Sequence, residues 1–403
     1  MNPVEMIKQK GVVMRPRPFN DAEYARRLDQ VKERMAAEGL DVLICSNTAN
    51  IGYLTGYDVT MPSCYSVLIV EADGTTTFHS PTNEAITMLD SGKVDHLEIF
   101  DWFEAQSTGH DLVRILQEKG IGDKRIGLEM GNPEVYSIGA FDTKSFLALQ
   151  EGLPKAEFVE ATLLVLGVRE IKTEAELEYM RIAGTYTWAG LKAGIDTVGA
   201  GVPDNVVAAA AFNGALSAGS ELMSIDPMVI SGSRTGYFPH VVFRRDAPEA
   251  GEPVYFEMTG THNRYNAPSM RTACTGKPSA EVQSMADASI NMLRFLVENI
   301  KPGKSCDELA RETQALGVGG DDVYFHGGYG YSIGMGFQPS WCEAPLYIAV
   351  DSDRTLEKGM CFHLVELLHI PGGRGVGFSE SVTVTDTGCE VLTPMEGLEL
   401  AVK

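Results

Sequence analysis

The stretch VYFEMTGTHNRYNAPSMRT, Val254 to Thr272, reads as a β-hairpin that presents a single acid. Strand-forming residues lead to Glu257, a polar turn follows, and a second strand closes on Arg271. Apolar neighbours on both sides make an unpaired Glu257 costly, so Arg271 across the hairpin is its simplest partner. In a two-metal hydrolase such a hairpin would offer two carboxylates to a pair of cations. Here one is present, which leaves open a metal site, a decayed metal site, or a carboxylate that works without metal.

Around this hairpin the order of elements indicates an α+β domain. A capping-box pattern at Thr173–Glu176 opens one or two helices over 166–194, and further helices are expected over Asn205–Ala218 and Ser279–Ile300. Strands that read as antiparallel occupy Met228–Thr272 and Met360–Leu392. Before about Val165 the pattern differs. A helix over Asn20–Gly39 with an Asn start and a Gly stop leads to the short strand DVLICS, and NTANIGYLTGYD reads as a polar loop. Two strands joined at Ala72–Asp73–Gly74 follow, then a helix, glycine turn and strand in DLVRILQEKGIGDKRIGLEM. This is an α/β domain, and the boundary is placed at 165/166, giving domains of 1–165 and 166–403.

The 403 residues suit two or three domains at roughly 100–200 residues each. With 44% hydrophobic and 22% charged residues the composition is that of a soluble globular protein. A net charge of −22 argues against nucleic acid or an anionic membrane as partner, since a phosphate surface would be repelled. The seven cysteines include no CxxC pair, which fits a reduced, cytoplasmic chain better than a disulfide framework or a zinc ribbon. The first residues carry charges without an apolar run, so no signal peptide is expected, and no apolar run is long enough to span a bilayer.

Five places in the second half carry polar groups in apolar or glycine-rich company: Pro239–His240; Glu257 with Tyr265 and Arg271; the run FHGGYGYSIGMGFQPSW (Phe325–Trp341); His363 and Glu366 in GMCFHLVELL; and Glu380 in GVGFSESVTV. Each has a plain structural explanation. A lone histidine is more often a surface or hydrogen-bonded residue than a catalyst, the glycine run can be a loop of tight turns, and the glutamates can be salt-bridge residues. The run lacks the GxxxxGK[ST] of a phosphate loop. The joint order of histidine, acid, glycine-rich run, acid and acid favours a site.

That order resembles the pita-bread family of creatinase, aminopeptidase P, prolidase and methionine aminopeptidase. DVLICSNTANIGYLTGYD resembles the creatinase-type N-terminal domain, and VREIKTEAELEYMRIAG resembles the start of the catalytic domain. LEKGMCFHLVELLHIP and GVGFSESVTVTDTGCEVLT resemble the family's two closing strands. The resemblance implies an α/β creatinase-like N-terminal domain followed by an α+β pita-bread catalytic domain. It also implies a homodimer in which residues near Tyr53, Tyr57 and Asp58 contribute to the partner's site.

In the metallopeptidases of the family two Asp, one His and two Glu hold the metals. By resemblance those positions fall on Glu257, Pro268, Tyr331, Val365 and Ser379, with Glu366 and Glu380 each one place later. A one-residue offset on a strand turns a side chain to the other face, so neither glutamate substitutes unless a bulge re-aims it. The resemblance therefore implies no metal and no cofactor. YFE, RYNAPSMRT, GYGYSIG and SES further resemble the ectoine hydrolase branch.

The implied activity is metal-independent hydrolysis of a non-peptide C–N bond, of cyclic amidine or guanidinium type, in a small zwitterionic solute such as ectoine. An amidinium carries its charge at the carbon to be attacked and pairs well with a carboxylate. Glu257 is then nucleophile or general base, and His240 moves the proton to the leaving nitrogen. Tyr331, Tyr265, Arg271, Glu366, Glu380, His363 and Tyr57 are the candidate substrate-binding residues. Two other readings stay open: a ligand-binding protein that kept the shell without catalysis, and a lyase acting on a sulfonium or betaine-like solute.

Overall fold

The computed structural model describes residues 3–10, 15–102, 108–131, 140–237, 240–325, 328–394 and 396–403. Pro239 and, within the glycine-rich run, His326 and Gly327 lie outside the described residues. The chain divides into two compact units, Met1–Arg169 and Glu170–Lys403. The boundary expected at 165/166 falls inside a helix, Thr162–Arg169, whose apolar residues Leu164, Val165, Leu166 and Val168 are buried. That helix packs on helix Asp21–Glu38 of the first unit, which is why the division comes after it.

The first unit is built on six strands: β1 (Val42–Cys45), β2 (Val67–Glu71), β3 (Thr76–Pro81), β4 (His96–Phe100), β5 (Arg125–Leu128) and β6 (Glu157–Glu160). They form one mixed sheet in the order β4-β3-β2-β1-β5-β6. Helix Asp21–Glu38 begins where the Asn20 side chain accepts from the Glu23 amide and ends on Gly39 at φ 67°, where a side chain would be strained. The segment expected as a polar loop after β1 contains a helix, Thr48–Thr55. Asn47 caps it, and the buried Glu129 carboxylate accepts from the Ser46 and Asn47 amides at 2.7 and 2.6 Å and from the Asn50 side chain at 2.6 Å. The partner that stabilises this helix is about eighty residues away in the chain, so local sequence does not reveal it.

The second unit carries β7 (Met228–Ser231), β8 (Pro253–Met258), β9 (Thr261–His262), β10 (Tyr265–Asn266), β11 (Ser269–Cys274), β12 (Tyr324–Phe325), β13 (Gly330–Phe337), β14 (Ser340–Ile348), β15 (Cys361–His369), β16 (Gly375–Val384), β17 (Cys389–Val391) and β18 (Ala401–Val402). One sheet runs β17-β16-β15-β13-β10-β9, with β12 on β15 and β14 on β13, and the other runs β18-β11-β8-β7. Helix Glu174–Thr197 starts in the expected capping box, Thr173 with Glu176. Helix Ala280–Asn299 packs on β15 and β16, closing a core of Met285, Leu293, Phe362, Leu364, Leu368 and Phe378. Much of the glycine-aromatic run is strand rather than loop, since β13 and the start of β14 fall within it. No helix among the described residues is long and apolar enough to cross a membrane.

Candidate active site

Register decides which side chains meet, because directly paired residues point to the same face and neighbours along a strand to opposite faces. In the smaller sheet Glu257 pairs with Met270 and Met228, while Arg271 pairs with Phe256. Glu257 and Arg271 therefore stand on opposite faces, and the expected pair across the hairpin does not form. Phe256 packs under helices Glu174–Thr197 and Asp204–Ala218, among Leu191, Val207 and Ala211. On that side Arg271 binds Glu380 at 2.5 Å, with both side chains almost fully buried. It also donates to the Met270 and Ser379 carbonyls, each at 2.8 Å.

Glu257 lies instead on the face that carries Tyr255 and Met270. Tyr255, Met270 and Ile230 form one apolar cluster with Val365 and Leu367 of the larger sheet, and Tyr331 and Val241 pack against it. The Glu257 carboxyl is 4% exposed and accepts from the Tyr255 hydroxyl at 2.6 Å. Burial pushes it up to about 7, against the opposing pull of that hydrogen bond. Its charge in turn helps hold the Cys342 thiol well above the usual range, after the larger effect of burial. Cys342 thus lies near Glu257.

In the larger sheet Tyr331 pairs with His363, His363 with Ser381 and Val365 with Ser379, so Tyr331, His363, Val365 and Ser379 share one face. Tyr331 Oη lies 2.7 Å from His363 Nδ1, and His363 Nε2 lies 2.6 Å from Ser379 Oγ. Trp341 Nε1 donates to Tyr331 Oη at 2.8 Å, and the Met270 amide donates to Ser379 Oγ at 2.6 Å. His363 is fully buried and its pKa is driven down to about 3 by burial, so the ring is neutral. Both ring nitrogens are occupied by protein, so His363 supports Tyr331 rather than binding substrate as the sequence led one to expect.

Glu366 and Glu380 point the other way. Glu380 pairs with Leu364 and Glu366 with Phe378, which puts both acids on the face that meets helix Ala280–Asn299. No bulge interrupts the β15–β16 register from Cys361 to His369. Glu380 is committed to Arg271 and, through its second oxygen, to Thr393. Glu366 is fully buried, neither carboxylate oxygen has a hydrogen-bond partner among the described residues, and burial pushes its pKa well above the usual carboxylate range. The expectation that these acids contact substrate is corrected by this register.

Tyr265 is likewise engaged elsewhere, its hydroxyl donating to Glu176 at 2.8 Å in the capping box of helix Glu174–Thr197. Tyr57, in the first unit, is buried and donates to Glu84 at 2.5 Å; burial, and after it that hydrogen bond, raises its pKa. His240 is exposed in a bend, and its neighbour Val241 packs on the cluster that holds Tyr255. The sequence reading did not single out Tyr255 or Cys342, nor Trp341 apart from the run it closes, although Tyr255 binds Glu257 and Trp341 binds Tyr331. Tyr255 carried a signal, since it stands two places before Glu257 on one strand and so shares its face.

The five residues that the resemblance sets against the metal ligands of the family's peptidases are Glu257, Pro268, Tyr331, Val365 and Ser379, and four of them share the facing surfaces just described. As donors they amount to one carboxylate, one phenol and one hydroxyl. Pro268 and Val365 have no ligating atom, and Ser379 Oγ is taken up by His363 and the Met270 amide. Two hard cations need several bridging carboxylates, so this set does not fit them. Among the described residues no group of three or more His, Cys, Asp or Glu converges elsewhere.

Residues 178–386 match the family described as Metallopeptidase family M24, and residues 27–171 match the Creatinase/Prolidase N-terminal domain. The chain belongs to metallopeptidase family M24, in the two-domain form with a creatinase-type N-terminal domain and a pita-bread C-terminal domain. It is 29% identical over 395 residues to the ectoine hydrolase of Halomonas elongata, spanning 93% of this chain and 96% of that protein. It is 31% identical to the Uncharacterized hydrolase/peptidase y4tM of Sinorhizobium fredii, over 94% of this chain and 97% of that one. A Xaa-Pro dipeptidase of Pyrococcus furiosus is more distant, at 24% over 92% of this chain and 98% of its own. Among solved structures, prolidase from Thermococcus sibiricus superposes with a TM-score of 0.82 at 19% identity, covering 94% of this chain and 99% of that chain. The Xaa-Pro dipeptidase from Bacillus anthracis gives 0.78 at 22%, covering 94% and 100%. These superpositions establish the shared fold.

Proposed function

We propose that this protein is a metal-independent hydrolase of a non-peptide C–N bond in a small zwitterionic solute, ectoine or a related cyclic amidine. The observation that carries the reading is Glu257: a buried carboxylate poised near neutrality on the face that carries Tyr255, in the apolar cluster against which Tyr331 packs. An amidinium entering beside Glu257 neutralises its charge and favours its ionised form. The cation already concentrates positive charge on the carbon to be attacked, so no Lewis acid is required. Glu257 acts on that carbon as nucleophile or through a water, and His240, exposed beside Val241, exchanges protons with solvent. The resemblance to ectoine hydrolase supports the substrate class, and the loss of ligating atoms at Pro268 and Val365 supports metal independence. A homodimer in the cytoplasm, with no cofactor, belongs to the same reading.

The test is turnover of ectoine by metal-stripped protein, with elemental analysis of the same sample and NMR of all products in ¹⁸O water. Ring opening with one ¹⁸O incorporated, unaffected by added Mn²⁺ or Co²⁺, is expected, and Glu257→Gln should abolish it. A product lacking water oxygen would mean a lyase. Binding without turnover across amidines, guanidines and betaines would mean a binding protein, and Xaa-Pro cleavage on adding metal would restore a peptidase.

A further inference from the structure

Strand β14 follows β13 unevenly, and a buried ion pair sits where the two part. Tyr331 pairs with Tyr347 and Ile333 with Cys342, so two steps along β13 are matched by five along β14. The surplus lies between Cys342 and Tyr347 and begins at Glu343. A bulge of this kind re-aims the side chains beyond it. In an unbroken antiparallel ladder that kept Tyr331 opposite Tyr347, Trp341 would fall opposite Phe337, about 20 Å along the strand from Tyr331. With the bulge, Trp341 Nε1 reaches Tyr331 Oη and donates to it at 2.8 Å.

Glu343 is held at this departure from two sides. Its Oε1 accepts from the Met335 amide of β13 at 3.0 Å, and its Oε2 lies 2.6 Å from Lys172 Nζ. Gly334 leaves the room, since a Cβ there would stand 2.6 Å from the carboxylate. Lys172 is fixed in turn by its backbone. Its amide donates to the Gly359 carbonyl at 2.9 Å, just before β15, and its neighbour Ile171 bridges Met360. Because β13 lies between β15 and β14, Lys172 spans three strands, from the entry of β15 to the bulge of β14. The two side chains are only 1% and 2% exposed. Desolvation offsets much of the attraction in such a pair, so what it supplies is position more than stability.

We propose that the Lys172–Glu343 pair is the strut that sets the β14 bulge and so brings Trp341 onto Tyr331. Lys172 and Glu343 are then positioning residues of the candidate active site. Cys342, one place before Glu343, lies near Glu257, so the same strut places the wall beside that acid. The effect on turnover rests on the hydrolase reading above; the placement of Trp341 does not.

The experiment uses the full-length protein labelled with ¹⁵N-tryptophan, whose three indole N–H signals are assigned by their loss in Trp102→Phe, Trp188→Phe and Trp341→Phe. Lys172→Met alone takes a cation from a buried carboxylate, so the informative variant is Lys172→Met/Glu343→Leu, which removes the strut and strands no charge. Its urea midpoint should stay close to that of wild type. Its Trp341 indole proton should exchange with deuterium about 10-fold faster than in wild type, while that of Trp188 is unchanged. In turnover of ectoine the variant should lower kcat by about 10-fold with little change in KM. Trp341→Phe should do the same, and combining the two should lower kcat little further, because both act through one contact. Unchanged exchange at Trp341 in the double variant overturns the proposal. A combined loss equal to the product of the two separate losses also overturns it, since the strut would then act elsewhere. Should the double variant not fold, Glu343→Gln, which keeps an acceptor for the Met335 amide and loses the ion pair, takes its place, and unchanged exchange there is equally decisive. If the wild-type protein opened no amidine at all, the hydrolase reading would fall, and the exchange measurement would still decide the strut.

Discussion

The Tyr255 hydroxyl donates to the Glu257 carboxylate at 2.6 Å from two places earlier on the same strand and the same face. Among the described residues it makes the hydrogen bond that stabilises the ionised form of this acid. Tyr255→Phe removes that donor without emptying the cluster. Because a donor to the charged form lowers a carboxyl pKa, its loss raises it. The acidic limb of kcat/KM against pH should move to higher pH by about one unit.

The raised Glu257 also predicts how stability depends on pH. A carboxyl whose folded pKa is about 7 against an ordinary 4.5 binds an extra proton in the folded state between those values. Its contribution is complete below pH 4.5 and is lost as pH rises through 7. The urea-unfolding free energy should therefore fall from pH 5 to pH 8 by on the order of 3 kcal/mol more in wild type than in Glu257→Gln. Glu129, held up to about 7 by its own burial, leaves a slope of the same sign in the variant.

Glu366 offers a stability gain. Its carboxyl is fully buried without a hydrogen-bond partner among the described residues, on the face away from Tyr331. Glu366→Gln, and more so Glu366→Leu, should stabilise the protein by about 1–3 kcal/mol at neutral pH. Ectoine turnover should stay within about threefold of wild type, because the side chain faces helix Ala280–Asn299; a large loss of kcat at unchanged stability would return Glu366 to the site.

Arg271 offers the reverse. Arg271→Met leaves the Glu380 carboxylate buried and unpaired, and should cost about 3–5 kcal/mol by urea unfolding. Substituting both residues with apolar ones of similar size should recover much of that loss, because no charge is then stranded. No gain in stability from the apolar double variant over Arg271→Met would overturn the view that the stranded charge causes the loss.

Much of the fold was legible because its signals are local. Asn20 and Thr173 begin helices by accepting from amides three residues on, and Gly39 and Gly74 take left-handed turns. Glu257 stood out in the sequence because a lone acid among strand-forming residues calls for an explanation, and the structure shows it buried beside Tyr255. The helix Thr48–Thr55 was not, since part of its stabilisation comes from Glu129. The roles of Glu366 and Glu380 were also not settled, because β15 and β16 are buried on both faces and no polar alternation marks which side meets the site.

The sequence by itself thus determined the two-domain class and the capped helices. Only the tertiary structure decided that Arg271 pairs with Glu380 rather than Glu257, that Ser379 and His363 stand behind Tyr331, and that Glu366 faces the helix. Caps and turns act over a few residues, whereas strand register is set by side chains more than a hundred residues apart, such as Arg271 and Glu380. A shift of one residue in that register would exchange every one of these contacts for its neighbour on the opposite face.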